Sequence, residues 1–210
     1  MPRSLVRMVC WTRLLVIGIV VLNVQLVTGE DRQASSVEPE FSGTLIKRVD
    51  GKKSQAQVFG KGDRLRVEYK YAIRTELGFS AIEIIRPDLA ERWFVLPQQK
   101  QLLVLPIEDE TLSMRTELVG ETSRTAVGDA MVAGRPARLF DVHVERHGLA
   151  ERFYQWVDAE VGMVLKLVSQ DRDWSFEYER IRLSSQSDRY FEEPPGYRKY
   201  QGGVGQEREE

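Results

Sequence analysis

The chain has 210 residues, with 30 Lys and Arg against 32 Asp and Glu, for a formal net charge of −2. Its 42% hydrophobic and 30% charged content suits a folded domain and excludes a disordered one. A near-neutral balance argues against a nucleic-acid partner, which would call for a basic face. One cysteine excludes an intrachain disulfide framework and any Cys-based zinc site, and two histidines leave little for imidazole metal chemistry.

The first segment reads as an export leader. Arg3, Arg7 and Arg13 form a basic start, and no acid precedes Glu30. An apolar run follows from Leu14, and Val27-Thr28-Gly29 supplies small or modest residues at a cleavage site. The uncharged stretch Leu14–Gly29 holds 16 residues, short of the roughly 20 that span a bilayer as a helix. Residues 1–29 are therefore expected to be a cleaved signal peptide, with a retained inner-membrane signal anchor as the alternative. Cys10 precedes the apolar run and cannot serve as a lipidation cysteine. Cleavage removes three Arg and no acid, leaving 27 basic and 32 acidic residues and no cysteine. Such a domain depends on its apolar core alone, and 181 residues are enough to build one.

Residues 30–40 are polar and read as a flexible lead-in, and 201–210, Gly-rich then charged, as a disordered tail. Between them, short alternating segments are punctuated by turns, the pattern of an antiparallel sheet or barrel. Strands are predicted at Phe41–Arg48 and Gln55–Phe59, joined through Asp50-Gly51, a strong hairpin signal. Arg64–Tyr71 alternates most clearly: Leu65, Val67, Tyr69 and Tyr71 share one side, Arg64, Arg66, Glu68 and Lys70 the other. Ser80–Arg86, Trp93–Leu96, Leu102–Leu105, Ala126–Val132, Ala137–Glu145, Glu151–Val157, Met163–Val168 and Ser175–Leu183 bring the total to about ten or eleven. A helix is expected over Ile107–Leu118. Leu89-Ala90-Glu91-Arg92-Trp93-Phe94 recurs as Leu149-Ala150-Glu151-Arg152-Phe153-Tyr154, through similar hairpins or an internal duplication.

Trp93–Leu96 and Leu102–Leu105 are apolar on both faces, so both faces need cover. A packed layer would supply it, or a curved sheet whose hollow lines an apolar groove. Trp93 and Trp156 are expected to be largely buried. Ile84 is expected to face the groove, with Arg66 pointing away from it.

No catalytic constellation emerges. His143 and His147 have a helical metal spacing but fall on a strand and the turn after it. Gly78-Phe79-Ser80-Ala81-Ile82 lacks the last glycine of a nucleophile elbow. Glu108-Asp109-Glu110 lacks the alternating ligands of a calcium loop. Gly60-Lys61-Gly62-Asp63 is a turn without the Lys-Ser/Thr of a phosphate loop. The reading is of a protein that is not an enzyme and holds no metal or cofactor.

The order Phe41-Ser42-Gly43-Thr44, Gly62-Asp63-Arg64-Leu65-Arg66-Val67-Glu68, Ile85-Arg86-Pro87-Asp88 and Trp93-Phe94-Val95-Leu96-Pro97 resembles the LolA-like, outer-membrane lipoprotein-sorting superfamily. So do Val132-Ala133-Gly134-Arg135-Pro136-Ala137 and Trp156–Lys166, a strand–turn–strand with Asp and Gly at the bend. The resemblance covers 41–200. It implies a mainly β domain, an incomplete antiparallel barrel wrapped around one or more helices. It also implies a periplasmic carrier that holds lipid or lipoprotein acyl chains, each buried CH₂ contributing about 0.8 kcal/mol. The groove would be lined by Leu65, Val67, Tyr69, Ile82, Ile84, Trp93, Val95, Leu103, Phe140, Val142 and Trp156. The carrier-type relatives begin with a Leu-rich helix, whereas Glu30–Glu40 is polar and contains Pro39. The alternative is a sensing or structural module of the same fold that binds a protein in the cell envelope.

The leader yields a direct expectation. Protein recovered after export begins at Glu30, and intact-mass analysis shows the loss of 29 residues. Recovery of the uncut chain in the membrane supports the signal anchor instead.

Overall fold

The computed structural model describes residues 39–107 and 116–202. The leader, the lead-in up to residue 38 and the tail from 203 lie outside the described residues. So do 108–115, the body of the predicted helix. Twelve strands form one open sheet. They are β1 (Phe41–Val49), β2 (Lys52–Lys61), β3 (Arg64–Thr75), β4 (Gly78–Arg86), β5 (Glu91–Leu96), β6 (Gln101–Pro106), β7 (Glu121–Val132), β8 (Arg135–Arg146), β9 (Leu149–Asp158), β10 (Val164–Ser169), β11 (Trp174–Leu183) and β12 (Arg198–Gln201). The spatial order is β12-β6-β5-β4-β3-β2-β1-β11-β10-β9-β8-β7. Two up-and-down meanders, β1–β6 and β7–β11, thus meet where β1 pairs antiparallel with β11, from Phe41–Leu183 to Val49–Trp174.

The turns explain the hairpins. Asp50-Gly51, Ala133-Gly134 and His147-Gly148 each carry two consecutive positive φ angles, the requirement of a two-residue type I′ turn. At the seam, two glycines admit what a side chain would exclude. A Cβ on Gly43 would lie 2.3 Å from the Arg180 carbonyl oxygen, and one on Gly60 2.2 Å from the Phe41 ring. Phe41, fully buried, therefore lies against the bare backbone of β2 and meets Tyr178 edge-on at 5.6 Å.

Side chains alternate between the two faces. The inner face carries the main core: Phe41, Leu45, Val58, Leu65, Val67, Ile85, Val142, Phe153, Leu165, Phe176, Tyr178 and their neighbours. A smaller inner cluster, Phe94, Leu96 and Leu103, lies on β5 and β6. The outer face of the same strands buries Ile84, Trp93, Val95, Leu102 and Val104. Both faces of β5 and β6 are thus covered, and the cover outside is the chain after β11. Lys61 donates to the Gln186 carbonyl and meets Asp188, which also accepts from Arg64. Arg66 donates to the Tyr190 carbonyl, and Arg86 to that of Phe191. Tyr197 then packs on the outer cluster, and β12 joins β6 in parallel.

The sheet differs from the expected one, and the enclosed helix is not found in the part of the chain that is described. Twelve strands form an open sheet where ten or eleven were expected in a partial barrel. No helix is enclosed among the described residues, whose helical elements are single 3₁₀ turns at Pro87–Leu89 and Asp188–Tyr190. The eleven predicted strands are all present: alternation marks most of them, and β5 and β6 are marked by short apolar runs bounded by turns. β12 carries no apolar alternation and is recruited by backbone pairing to the edge of β6. The repeated hexapeptide differs in setting: Ala90 is left-handed after a 3₁₀ turn, whereas Leu149 already lies in β9. What the copies share is an Arg beside an aromatic two residues on, Arg92 with Phe94 and Arg152 with Tyr154.

The bend between β9 and β10 is held by a buried carboxylate. Asp158 accepts the backbone N–H groups of Glu160 and Val161 at 2.8 and 3.0 Å, and the guanidinium of Arg135. Burial alone would raise its pKa, but the Arg135 hydrogen bond and the two amides hold it below the usual carboxylate range. Its contribution to stability is therefore present above about pH 3.9, the unfolded value, and is lost as pH falls through the lower folded value. Asp158→Asn should lower the melting temperature at neutral pH, and the gap to wild type should close below about pH 4. A gap unchanged across the acid range would show that the carboxylate charge contributes nothing.

Candidate functional site

The eleven groove candidates do not form one wall. Leu65, Val67, Tyr69, Leu103, Phe140 and Val142 lie on the inner face. Ile82, Ile84, Trp93 and Val95 lie on the outer face, beneath the chain that follows β11. Trp156 shares its side of β9 with Leu139 and Lys166, whose ammonium sits 5.1 Å over the indole. It is half-buried, not largely buried as expected. Arg66 and Ile84 are cross-strand partners on the same face, so the expected contrast between them does not exist. The physical reason is that β4 and β5 are apolar on both sides, and alternation alone cannot say which side meets which core. Most of the set is closed packing: Leu65, Val67, Ile84, Trp93, Leu103 and Val142 are at most 2% exposed.

The two inner clusters are separated by a polar row. The Tyr69 hydroxyl donates to Glu83 at 2.5 Å, and Arg92 Nε lies 3.6 Å from the other Glu83 oxygen. Burial and the neighbouring carboxylate push the Tyr69 phenol well above its ordinary range, so it stays a neutral donor. Arg92 also lies 4.9 Å from the Phe94 ring.

At Tyr69 the sheet divides. Pairing of β2 with β3 ends at Ala56–Tyr69. β2 continues beside β1 through Lys52–Gln55, while β3 follows β4, with Ile73 paired to Ser80. Four residues of β3, 69–72, stand opposite one of β4, a large bulge that bends the strand away. In the angle lies an open cavity of about 460 Å³ lined by Gln55, Ala56, Gln57, Glu68, Tyr69 and Lys70. Tyr71, on the diverging arm, is 76% exposed. The glycine and alternation signals gave no sign of this fork; the strand predicted over Arg64–Tyr71 runs past Tyr69 without a break.

A second polar point lies on the inner face toward β7. Arg124 donates to both oxygens of Glu121, at 2.8 and 2.7 Å, and to Gln155 Oε1 at 2.6 Å. Burial raises the Glu121 pKa, but the Arg124 hydrogen bonds and the Leu118 amide more than offset it, leaving it below the usual range. Gln155 is fully buried, and its Nε2 has no hydrogen-bond partner. An unmade buried hydrogen bond of this kind costs about 1–3 kcal/mol. His143 lies in β8 beside Asp141 at 3.5 Å, and His147 occupies the following turn. Among the described residues no three metal-ligating side chains converge.

No family model matches the chain, and no curated protein matches it. Solved structures are similar to it. MucB is 16% identical, with a TM-score of 0.48, over 76% of this chain and 59% of its own. The MucA/MucB complex from Pseudomonas aeruginosa matches at 15% identity and a TM-score of 0.48, over 74% of this chain and 56% of the matched one. An outer membrane lipoprotein-sorting protein domain from Vibrio parahaemolyticus matches at 9% identity and a TM-score of 0.37, over 72% and 89%. The structural neighbours thus include the kind of domain that the sequence resembles. The chain spans little more than half the length of MucB.

The two tryptophans give a test of the packing. Trp93→Ala should cost roughly 3–5 kcal/mol in urea unfolding, since the indole is 2% exposed between Arg86 and Lys199. Trp156→Ala should cost less than half as much. Equal losses would contradict the packing described here.

Proposed function

We propose that the protein is a non-catalytic binding protein of the cell envelope, exported to the periplasm by a cleaved leader, that engages a protein partner through its sheet. The observation that supports this reading is the contrast between the two kinds of site. The apolar residues expected to hold an acyl chain are divided between two faces and largely closed, whereas the fork is open, polar-rimmed and bounded by strand. An acyl chain needs a continuous apolar wall; a polypeptide needs polar groups and backbone. MucB has been solved with MucA bound. For this chain a protein partner is a proposal, supported by the fork but not confined to it.

The second reading, an acyl-chain carrier, is favoured by Gln155. Its unpaired amide donor sits on the apolar inner face beside Arg124, where a lipid ester or carboxyl oxygen would satisfy it. Both readings place the protein outside the cytoplasm and assign it no covalent chemistry.

One experiment separates them. A photocrosslinking amino acid is placed singly at Tyr71, Val127 and Leu149, all well exposed, in cells that export the protein. The same purified protein is extracted with organic solvent and its lipids measured by mass spectrometry. The proposal expects a discrete protein adduct from at least one position and no stoichiometric lipid. Stoichiometric lipid without an adduct overturns it in favour of the carrier reading, and neither outcome at any position removes both.

A further inference from the structure

Resting on that partner reading, we infer that the fork between β2 and β3 takes up an extended, acidic peptide segment, which adds as a strand to the free edge of β2. Three features of the fork point to this occupant. The first is backbone. Lys52–Gln55 pairs with β1 on one side only, because β3 has left at Tyr69. Its other edge is a row of donors and acceptors, and an added strand satisfies such a row without regard to its own sequence.

The second feature is charge. The arms carry Lys52, Lys53, Lys70 and Arg74 against a single acid, Glu68. Glu68 is already held by Arg66 Nε at 2.7 Å. The fork is thus a cationic strip on a chain whose net charge is negative, and it favours a segment rich in Asp or Glu. Lys53 does meet Glu179, but at 3.9 Å between two half-exposed side chains, a pairing that an incoming carboxylate can replace.

The third feature is the floor. Tyr69 lines the cavity with its hydroxyl engaged by Glu83, so the hydroxyl is not free for an incoming group. Ala56 beside it adds an apolar surface, while Gln55, Gln57 and Lys70 supply polar walls. In a strand every second side chain points the same way, so a segment of alternating apolar and acidic residues can place one set on Tyr69 and the other on the lysines. Tyr71, exposed beneath the Lys70 ammonium at 5.4 Å, is positioned to close over the segment.

The test uses the whole exported protein and a short fluorescein-labelled peptide of alternating Glu and Val, followed by anisotropy. A Lys–Val peptide, a backbone N-methylated Glu–Val peptide and vesicles of anionic lipid serve as comparisons. The inference expects saturable binding of the Glu–Val peptide alone. The double variant Lys53→Glu/Lys70→Glu should weaken it at least about tenfold, and added salt should weaken it too. Arg138→Glu, exposed on β8, should leave it unchanged. Amide exchange should slow at Lys52–Gln55 when the peptide is bound. Equal binding of the Lys–Val or N-methylated peptide, indifference to the double variant, or protection elsewhere overturns the inference. Binding to vesicles without binding to peptide overturns it as well and makes the strip a membrane contact. A crosslinked partner at position 127 or 149 but not at 71 would remove the fork and leave the partner reading standing.

Discussion

Two antiparallel meanders, β1–β6 and β7–β11, are joined through one pair of strands, β1 with β11. Each meander is built from local hairpins, which short turns can fix early. The β1–β11 pairing instead links residues more than a hundred positions apart, and its loop-closure entropy is repaid only if side chains interlock there. They do so through Phe41, Leu45, Phe176 and Tyr178, with Gly43 and Gly60 bare enough for backbone and ring to approach. The main core extends from β1 and β11 into both meanders, so the seam and the inner face are one construction.

The outer face follows from the same geometry. β11 delivers the chain beside β1, at the middle of the sheet, and the remaining residues must travel across β2–β5 to reach the open edge at β6. Cations on β2, β3 and β4 mark that route: Lys61 and Arg64 at Asp188, Arg66 at Tyr190, Arg86 at Phe191. Rings accompany them, with Phe59 against Tyr190 and Arg64 over Phe191. Single exposed ion pairs contribute little. Here they hold a strap that seals five apolar residues of the outer cluster, and the packing beneath it dominates the stabilisation.

These relations set what could be read in advance. Strands and turns were legible because alternation and Xaa-Gly turns are local properties: all eleven expected strands exist, and Asp50-Gly51 turns as its type demands. The need for cover on both faces of β5 and β6 was legible too. Its source was not, since Arg198–Gln201 has no apolar pattern and joins the sheet by backbone alone. The division of the groove candidates was hidden for a related reason. Ile84 and Ile85 are neighbours in sequence, equally apolar, and buried in different cores, and only the register with Arg66 and Leu65 tells them apart.

The fork shows why the candidate site was the least legible part. Leu65, Val67 and Tyr69 alternate on one face of β3, and alternation predicts that the strand continues beside β2. Tyr69 is instead anchored to Glu83 on β4, and Glu83 in turn faces Arg92 on β5. A buried carboxylate cannot be left without partners, so this row holds β3 against β4 and β5 at the point where its pairing with β2 stops. The bulge over 69–72 takes up the mismatch, and the space left between the arms is the cavity. Tyr69 thus belongs to both sides, paired through its backbone with Ala56 of β2 and through its hydroxyl with Glu83 of β4, and beyond it the edge of β2 is left without a neighbour.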